Sequence, residues 1–179
     1  MKLDRYKKAP PLERVREALD YNPDTGVFTW KIFLRNNSIK PGFIASSRNG
    51  FKGYRCLHLD GQSYLCHRLA WYYVHGVWPK VQIDHINRDR SDNRISNLRE
   101  ATRSQNIKNT SPIRKSKSGI KGIWWRPERG RWIVKFRMNG KPKQFGSFST
   151  REEALAAYKV AAAKYHGEFA SYPEDLDGR

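Results

Sequence analysis

The pattern of apolar and polar positions changes character along the chain, and the changes mark its elements. Residues 12–20, LERVREALD, carry Leu12, Val15 and Leu19 at helical spacing, which predicts a short amphipathic helix. Asn22-Pro23-Asp24-Thr25-Gly26 then reads as a turn, because proline fixes φ, an Asp side chain can bond its own backbone, and glycine supplies a positive φ. Residues 27–30 read as a strand, and 36–53, rich in Gly, Ser and Asn, as loop with fragmentary strand. Residues 54–59 and 63–65 flank Asp60-Gly61, a tight-hairpin signature. HRLAWYYVHG, residues 67–76, sets Leu69, Ala70, Tyr73 and Val74 on one helical face and stops at Gly76, with Pro79 just beyond. Residues 81–100 begin as a short apolar strand and continue as a polar, Asn-rich loop. Thr102 is then placed to cap a helix over 103–109.

Residues 109–119, NTSPIRKSKSG, are basic and poor in apolar side chains, as a linker is. Beyond them the pattern is different. In RWIVKFR, Trp132, Val134 and Phe136 share one strand face while Arg131, Lys135 and Arg137 share the other. Similar strands are predicted over 121–126 and 143–145, with Asn139-Gly140 as the intervening turn. Ser149 or Thr150 would cap a following helix, with Glu152 and Glu153 at its positive end and Ala154, Ala157, Ala161 and Tyr165 facing the sheet. The expectation is an α+β protein: an N-terminal region over 1–53, a domain over 54–110, a linker over 111–118, a second domain over 119–172 and a tail over 173–179.

Charge narrows the class of partner. Lys and Arg number 35 against 17 acidic residues, a formal +18, a self-repulsion that points to a polyanionic partner. No apolar run approaches the roughly 20 residues that span a bilayer, and no basic amphipathic anchor is apparent, so nucleic acid is favoured over membrane. The N-terminal MKLDRYKKAPP has no apolar run after its charges, unlike a secretory signal, and a cytoplasmic location is expected. With 38% hydrophobic residues the chain can fold, although two small domains would have modest cores. Cys56 and Cys66 are the two cysteines. Without a CxxC pair they exclude a four-thiolate zinc site and read as small, partly buried apolar residues.

Four residues offer chemistry: Asp84, His85, Asn97 and Asn106. A carboxylate and an amide oxygen are hard ligands, and two protein ligands leave positions open for water and phosphate oxygens. A neighbouring histidine near neutrality can take a proton from water. Adjacent residues on a strand point to opposite faces, so Asp84 and His85 meet one phosphate only if the backbone turns there. A lone Asp-His pair is more often a surface turn, and Asn-rich loops are often only turn chemistry. His67 reads as a packed or capping histidine, and His58, His75 and His166 have no evident partner.

Set in HRLAWYYVHG, QIDHIN and DNRISNLREATRSQN, these four residues resemble the H-N-N variant of the HNH endonuclease motif of phage and intron-encoded enzymes, over roughly residues 54–110. The resemblance implies a ββα-metal fold around one divalent ion. Asp84 and Asn106 would be metal ligands, His85 would activate water, and Asn97 would hold the loop that orients it. Asn rather than His at the third position favours Mg²⁺ or Mn²⁺ over Zn²⁺. Arg88, Arg90, Arg94, Arg99 and Arg103 surround the motif and are candidates to cradle the scissile backbone of DNA.

The segments KGIWWRPERGRWIVKFR, QFGSFST and EEALAAYKVAAAKYHG, within roughly 118–172, resemble the plant APETALA/ethylene-response-factor DNA-binding domain. That family implies a three-stranded sheet lying in the major groove. Lys121, Trp124, Arg126, Lys135, Arg137 and Gln144 would face DNA, and Tyr158 would touch phosphate. Arg131 and Lys143 join them by strand parity and charge. Trp124 and Lys135 replace the Arg and Glu usual in the plant proteins, so no target sequence carries over, while Trp125 and Trp132 read as core. The combined expectation is a monomeric, homing-type endonuclease on double-stranded DNA. An inactive DNA-binding regulator and an RNA-binding or ribonuclease module are the alternatives.

Overall fold

The computed structural model describes residues 8–34, 39–46, 51–110, 118–138 and 140–172. They divide into two units, one ending at Arg103 and the other beginning at Ser104. The expected tail and nearly all of the expected linker lie outside the described residues.

In the first unit, helix α1 (Leu12–Ala18) buries Val15 and Ala18. The sequence predicts helix through residue 20, but strand β1 (Leu19–Asn22) begins where the helix stops and pairs with β2 (Val27–Trp30), Leu19 opposite Trp30. Leu19 is fully buried, so strand pairing and core packing together override its helical spacing. In the turn between these strands, Asn22 Oδ1 accepts from the N–H groups of Asp24 and Thr25 at 2.9 and 3.0 Å. Strands β3 (Cys56–Leu59) and β4 (Gln62–Leu65) form the expected hairpin, with Asp60 and Gly61 both at positive φ, 48° and 75°. Helix α2 (Cys66–His75) follows at once and ends at Gly76 with φ 72°.

Val15, Leu19, Phe28, Leu57 and Leu69 belong to one hydrophobic core. The N-terminal helix and hairpin therefore share their interior with β3, β4 and α2. Each such fully buried side chain contributes about 1.5–3 kcal/mol. Strand β5 (Gln82–His85) then pairs antiparallel with β6 (Leu98–Ala101), joined by residues 86–97. Helix α3 (Arg103–Asn109) follows, falling in the second unit apart from its first residue. Cys56 and Cys66 are both free thiols, and burial raises the pKa of Cys66.

In the second unit β7 (Ile123–Arg126), β8 (Arg131–Met138) and β9 (Lys141–Phe148) form an antiparallel sheet in sequential order. Strand β9 is longer than the predicted 143–145 because it pairs along nearly all of β8, with Phe145 skipped between Val134 and Lys135. Pro142 is tolerated because β9 is an edge strand of that sheet. Helix α4 (Arg151–His166) starts at a capping box: Thr150 Oγ1 accepts from the Glu153 N–H while the Glu153 carboxylate accepts from the Thr150 N–H. Ala154 and Ala161 are buried as expected, together with Tyr158 and Ala162, whereas Ala157 and Tyr165 are half-buried. Trp132 and Phe136 pack with Val134 against this core, as the strand alternation predicts. No described helix is long and apolar enough to cross a membrane.

Candidate functional site

The β5–β6 hairpin carries Asp84 and His85 side by side, both under 6% exposed. Asp84 lies opposite Arg99, whose Nε and Nη2 donate to Asp84 Oδ2 at 3.0 and 2.9 Å. His85 engages other neighbours, as strand alternation demands: Nε2 lies 3.1 Å from Asn93 Oδ1, and the rings of His67 and Tyr54 are 5.0 and 5.9 Å away. The strand ends at His85, where the chain turns with the Arg88 N–H donating to the His85 carbonyl at 2.9 Å.

Burial lowers the pKa of His85, opposed by the Asn93 hydrogen bond and by the charges of Asp84, Asp89 and Asp92. His67 is held well below the usual histidine range by burial first, and then by His85 and Arg68. Both imidazoles are therefore neutral near pH 7. The sequence suggests packing for His67, and its partners in that packing are His85 and Tyr54, whose ring is 5.1 Å away.

Asn97 ties the 86–97 loop together. Its Oδ1 accepts from the Asn87 N–H at 3.0 Å, and its Nδ2 donates to Asn87 Oδ1 at 3.0 Å and to the Asp92 carbonyl at 2.8 Å. Asp92 accepts from Arg94 and Asn87, and the Arg94 hydrogen bond is the main cause of its lowered pKa. Asn93, 1% exposed, is the participant that sequence reasoning missed. It stands in the same DNRISN run as Asn97, where an Asn-rich stretch looks like turn chemistry and nothing marks one Asn as buried.

The remaining residues of the motif are distributed as follows. Asn106 is half-buried on α3, so the boundary between units falls between it and Asp84-His85. Arg90 donates to the Lys52 carbonyl at 2.9 Å and lies over the Tyr54 ring. Arg94 is engaged by Asp92, Arg99 by Asp84, Arg88 has φ 67°, and Arg103 is exposed. Asp84 supplies a buried carboxylate whose rotation Arg99 fixes, an oxygen donor of the kind a hard divalent ion takes, while Asn106, the other expected ligand, belongs to the second unit. Among the described residues no group of three or more His, Cys, Asp or Glu forms a metal cluster; a carboxylate-amide pair is a different kind of site.

In the second unit Trp124, Arg126, Arg131, Arg137, Lys143 and Gln144 are exposed, and Lys135 is half-buried with its ammonium over the Trp124 ring. Arg126 meets Glu128 at 3.4 Å, and Arg131 donates to Ser149 Oγ at 2.5 Å. The rings of Trp125 and Trp132 are tilted at 51° with centroids 5.0 Å apart, and both residues are half-buried. Three candidates sit where their expected role does not place them. Lys143, assigned to the DNA face by strand parity and charge, lies opposite Phe136 with its ammonium over the Phe145 and Tyr165 rings, on the α4 side, because the skipped Phe145 changes the parity of β9. Tyr158, expected on phosphate, is 3% exposed and donates to the Ser171 carbonyl at 3.0 Å, with Gly122 pressed so closely on its ring that a Cβ there would come within 2.9 Å. The Lys121 ammonium donates to the carbonyls of Ile107 and Lys108 and to Thr110, where burial pushes its pKa down to about 8. The last two follow from packing within this unit, which the resemblance that suggested them does not reveal.

Residues 64–108, from β4 through most of α3, match the family described as HNH endonuclease, and all four motif residues fall inside that span. The chain is 31% identical over 107 residues to Protein 3.8 of Escherichia phage T7, covering 59% of this chain and 88% of that protein. The chain thus contains an HNH endonuclease domain. It is also 29% identical over 129 residues to the Uncharacterized HNH endonuclease L560 of Acanthamoeba polyphaga mimivirus, covering 72% of this chain and 66% of that protein. No solved structure matches the chain significantly. The HNH segment thus contains Asp84, His85, Asn93 and Asn97, all of which are buried.

Proposed function

We propose that this HNH protein is a homing-type endonuclease that hydrolyses phosphodiester bonds of double-stranded DNA with one divalent ion, Mg²⁺ or Mn²⁺, and His85 as general base. The observation that carries this reading is a buried His85, hydrogen-bonded to Asn93, beside a buried Asp84 within the HNH segment. Asp84 and Asn106 would hold the ion, which when bound stabilises charge on the phosphate and on the departing 3′ oxygen. His85 accepts the proton of the attacking water, and its neutral form is the one able to do so. Asn97 keeps the loop in place through its three hydrogen bonds. Arg99 orients Asp84, while Arg88, Arg90, Arg94 and Arg103 supply positive charge for the DNA backbone.

The second domain, over 119–172, would be an ethylene-response-factor-like reader that uses the exposed residues Trp124, Arg126, Arg131, Arg137 and Gln144, with Lys135. A three-stranded sheet fits the width of a major groove. Joining a reader to a cutter through residues 111–118 raises the local concentration of the cutter at its site. The deciding experiment maps cut positions on both strands of source-genome DNA with Mg²⁺ or Mn²⁺ and again with chelator. Metal-dependent cutting is expected, and His85→Ala should lower kcat by about 10²–10⁴-fold with DNA binding retained. Binding without cutting under every metal would leave a DNA-binding regulator, and preference for RNA a ribonuclease.

A further inference from the structure

Asn97 holds the loop by its backbone, but the group in contact with the His85 ring is Asn93. Its side chain reaches His85 Nε2 at 3.1 Å, and the backbone of residues 93–95 meets the N-terminal hairpin at three points. Tyr21 Oη donates to the Asn93 carbonyl at 2.7 Å. The Ile95 N–H donates to the Pro23 carbonyl at 3.1 Å. Gly26, at φ 70°, packs so tightly that a Cβ there would lie 2.4 Å from the Asn93 carbonyl carbon and the Arg94 nitrogen. Tyr21 is itself fixed, 4.7 Å from the Phe28 ring and 5.8 Å from Tyr73.

The chemistry of the contact is directional. A neutral imidazole has one N–H and one lone pair, and the partner at one nitrogen decides which is which. With Asn93 Oδ1 accepting from Nε2–H, the basic lone pair resides on Nδ1. The Asn93 Nδ2 is buried and finds no partner among the described residues, a cost that an apolar side chain of similar volume would avoid. The hydrogen bond to His85 is the compensating contact at that position.

We propose that Asn93 is the positioning residue for His85, setting its tautomer so that Nδ1 receives the proton, and that residues 21–26 brace Asn93 in that role. This rests on the reading of His85 as general base. The structural half can be read without cleavage: long-range proton–nitrogen NMR correlations on the full chain should show His85 protonated at Nε2. Asn93→Ala should give a mixed or inverted tautomer, and Asn93→Asp, which keeps an acceptor, should retain the Nε2–H form. In plasmid cleavage with Mg²⁺ or Mn²⁺, Asn93→Ala should lower kcat by at least about 10-fold with KM for DNA unchanged. Asn93→Asp should recover most of that loss, and Tyr21→Phe should show a smaller loss of the same kind. A wild-type His85 protonated at Nδ1, or an Asn93→Ala protein with unaltered tautomer and kcat, overturns the proposal. A wild-type protein that cuts nothing, yet holds His85 as Nε2–H in an Asn93-dependent way, sinks the nuclease reading while supporting the positioning contact. If Asn93→Ala does not fold, the wild-type tautomer and the Asn93→Asp and Tyr21→Phe rates still decide.

Discussion

The two units place their candidate functional groups in opposite ways. In the β5–β6 hairpin, Asp84, His85, Asn93 and Asn97 are all buried, and each is bonded to another polar group. On the three-stranded sheet, Trp124, Arg126, Arg131, Arg137 and Gln144 stand exposed over a core made by the other face and α4, whereas Lys143 lies on the helix side. Burial keeps an imidazole neutral and fixes its direction, which proton transfer needs. Exposure keeps long cationic side chains hydrated until a polyanion displaces water and counterions. The contrast predicts that polar substitutions in the first unit damage stability, whereas those on the sheet face damage only binding.

The largest test is the Asp84–Arg99 pair. Removing one partner of a buried ion pair leaves the other charge uncompensated, so Arg99→Ala should cost about 3–5 kcal/mol of unfolding free energy by urea titration. A loss no greater than that of an exposed arginine would break the contrast at once. Next is Gly26→Ala. The new Cβ meets backbone rather than a flexible side chain, at a φ that favours glycine, so a loss of about 1–3 kcal/mol is expected. The damage should also reach the cleavage rate if the hairpin braces the loop as proposed, and an unchanged melting midpoint would exclude the close approach.

Legibility follows the same division. Helix α4 is long, its alanines repeat at helical spacing, and its start has a capping residue followed by acids, so local signals all agree. The β3–β4 hairpin is equally plain because Asp-Gly serves the two positive φ values its turn requires. Strand β6 is not legible: LREA has no alternation, its two ends Leu98 and Ala101 being buried while Arg99 is half-buried and Glu100 exposed. β1 is hidden because Leu19 also completes a helical pattern. At the site, Asp84, His85 and Asn97 are legible through a motif, but Asn93 gains its meaning only when residues 72 positions apart, Tyr21 and Asn93, meet. The packing of Tyr158 and Lys121 is hidden in the same way, because both depend on tertiary neighbours.

A titration inside the second unit gives a smaller effect. Burial pushes the pKa of His166 down to about 4, with Lys108 and Lys121 as further causes, and Phe136 packs 4.5 Å from its ring. The folded value is below the unfolded one, so the stabilisation is complete above about pH 6.5 and is lost as pH falls from there through about 4. At pH 5 the loss should be about 1 kcal/mol once solvent screening is allowed for, and His166→Gln should flatten that part of the wild-type curve. Parallel curves for the two proteins would mean that His166 is not buried as a neutral ring.

The smallest expected change in stability gives the sharpest version of the contrast. Arg137 is exposed on β8, opposite Pro142, on the face away from the Val134 and Phe136 side chains. Arg137→Ala should therefore shift unfolding by less than about 0.5 kcal/mol. If that face meets DNA, the same substitution should weaken binding, and the form of the weakening identifies the contact. Loss of a phosphate contact lowers the salt slope of log K by about one and acts on all sequences alike. Loss of a base contact costs about 1–3 kcal/mol and relaxes preference at one position of the site. An Arg137→Ala protein with full affinity and an unchanged salt slope would show that this arginine is only hydrated surface, and the reading face would then have to be sought among Trp124, Arg126, Arg131 and Gln144.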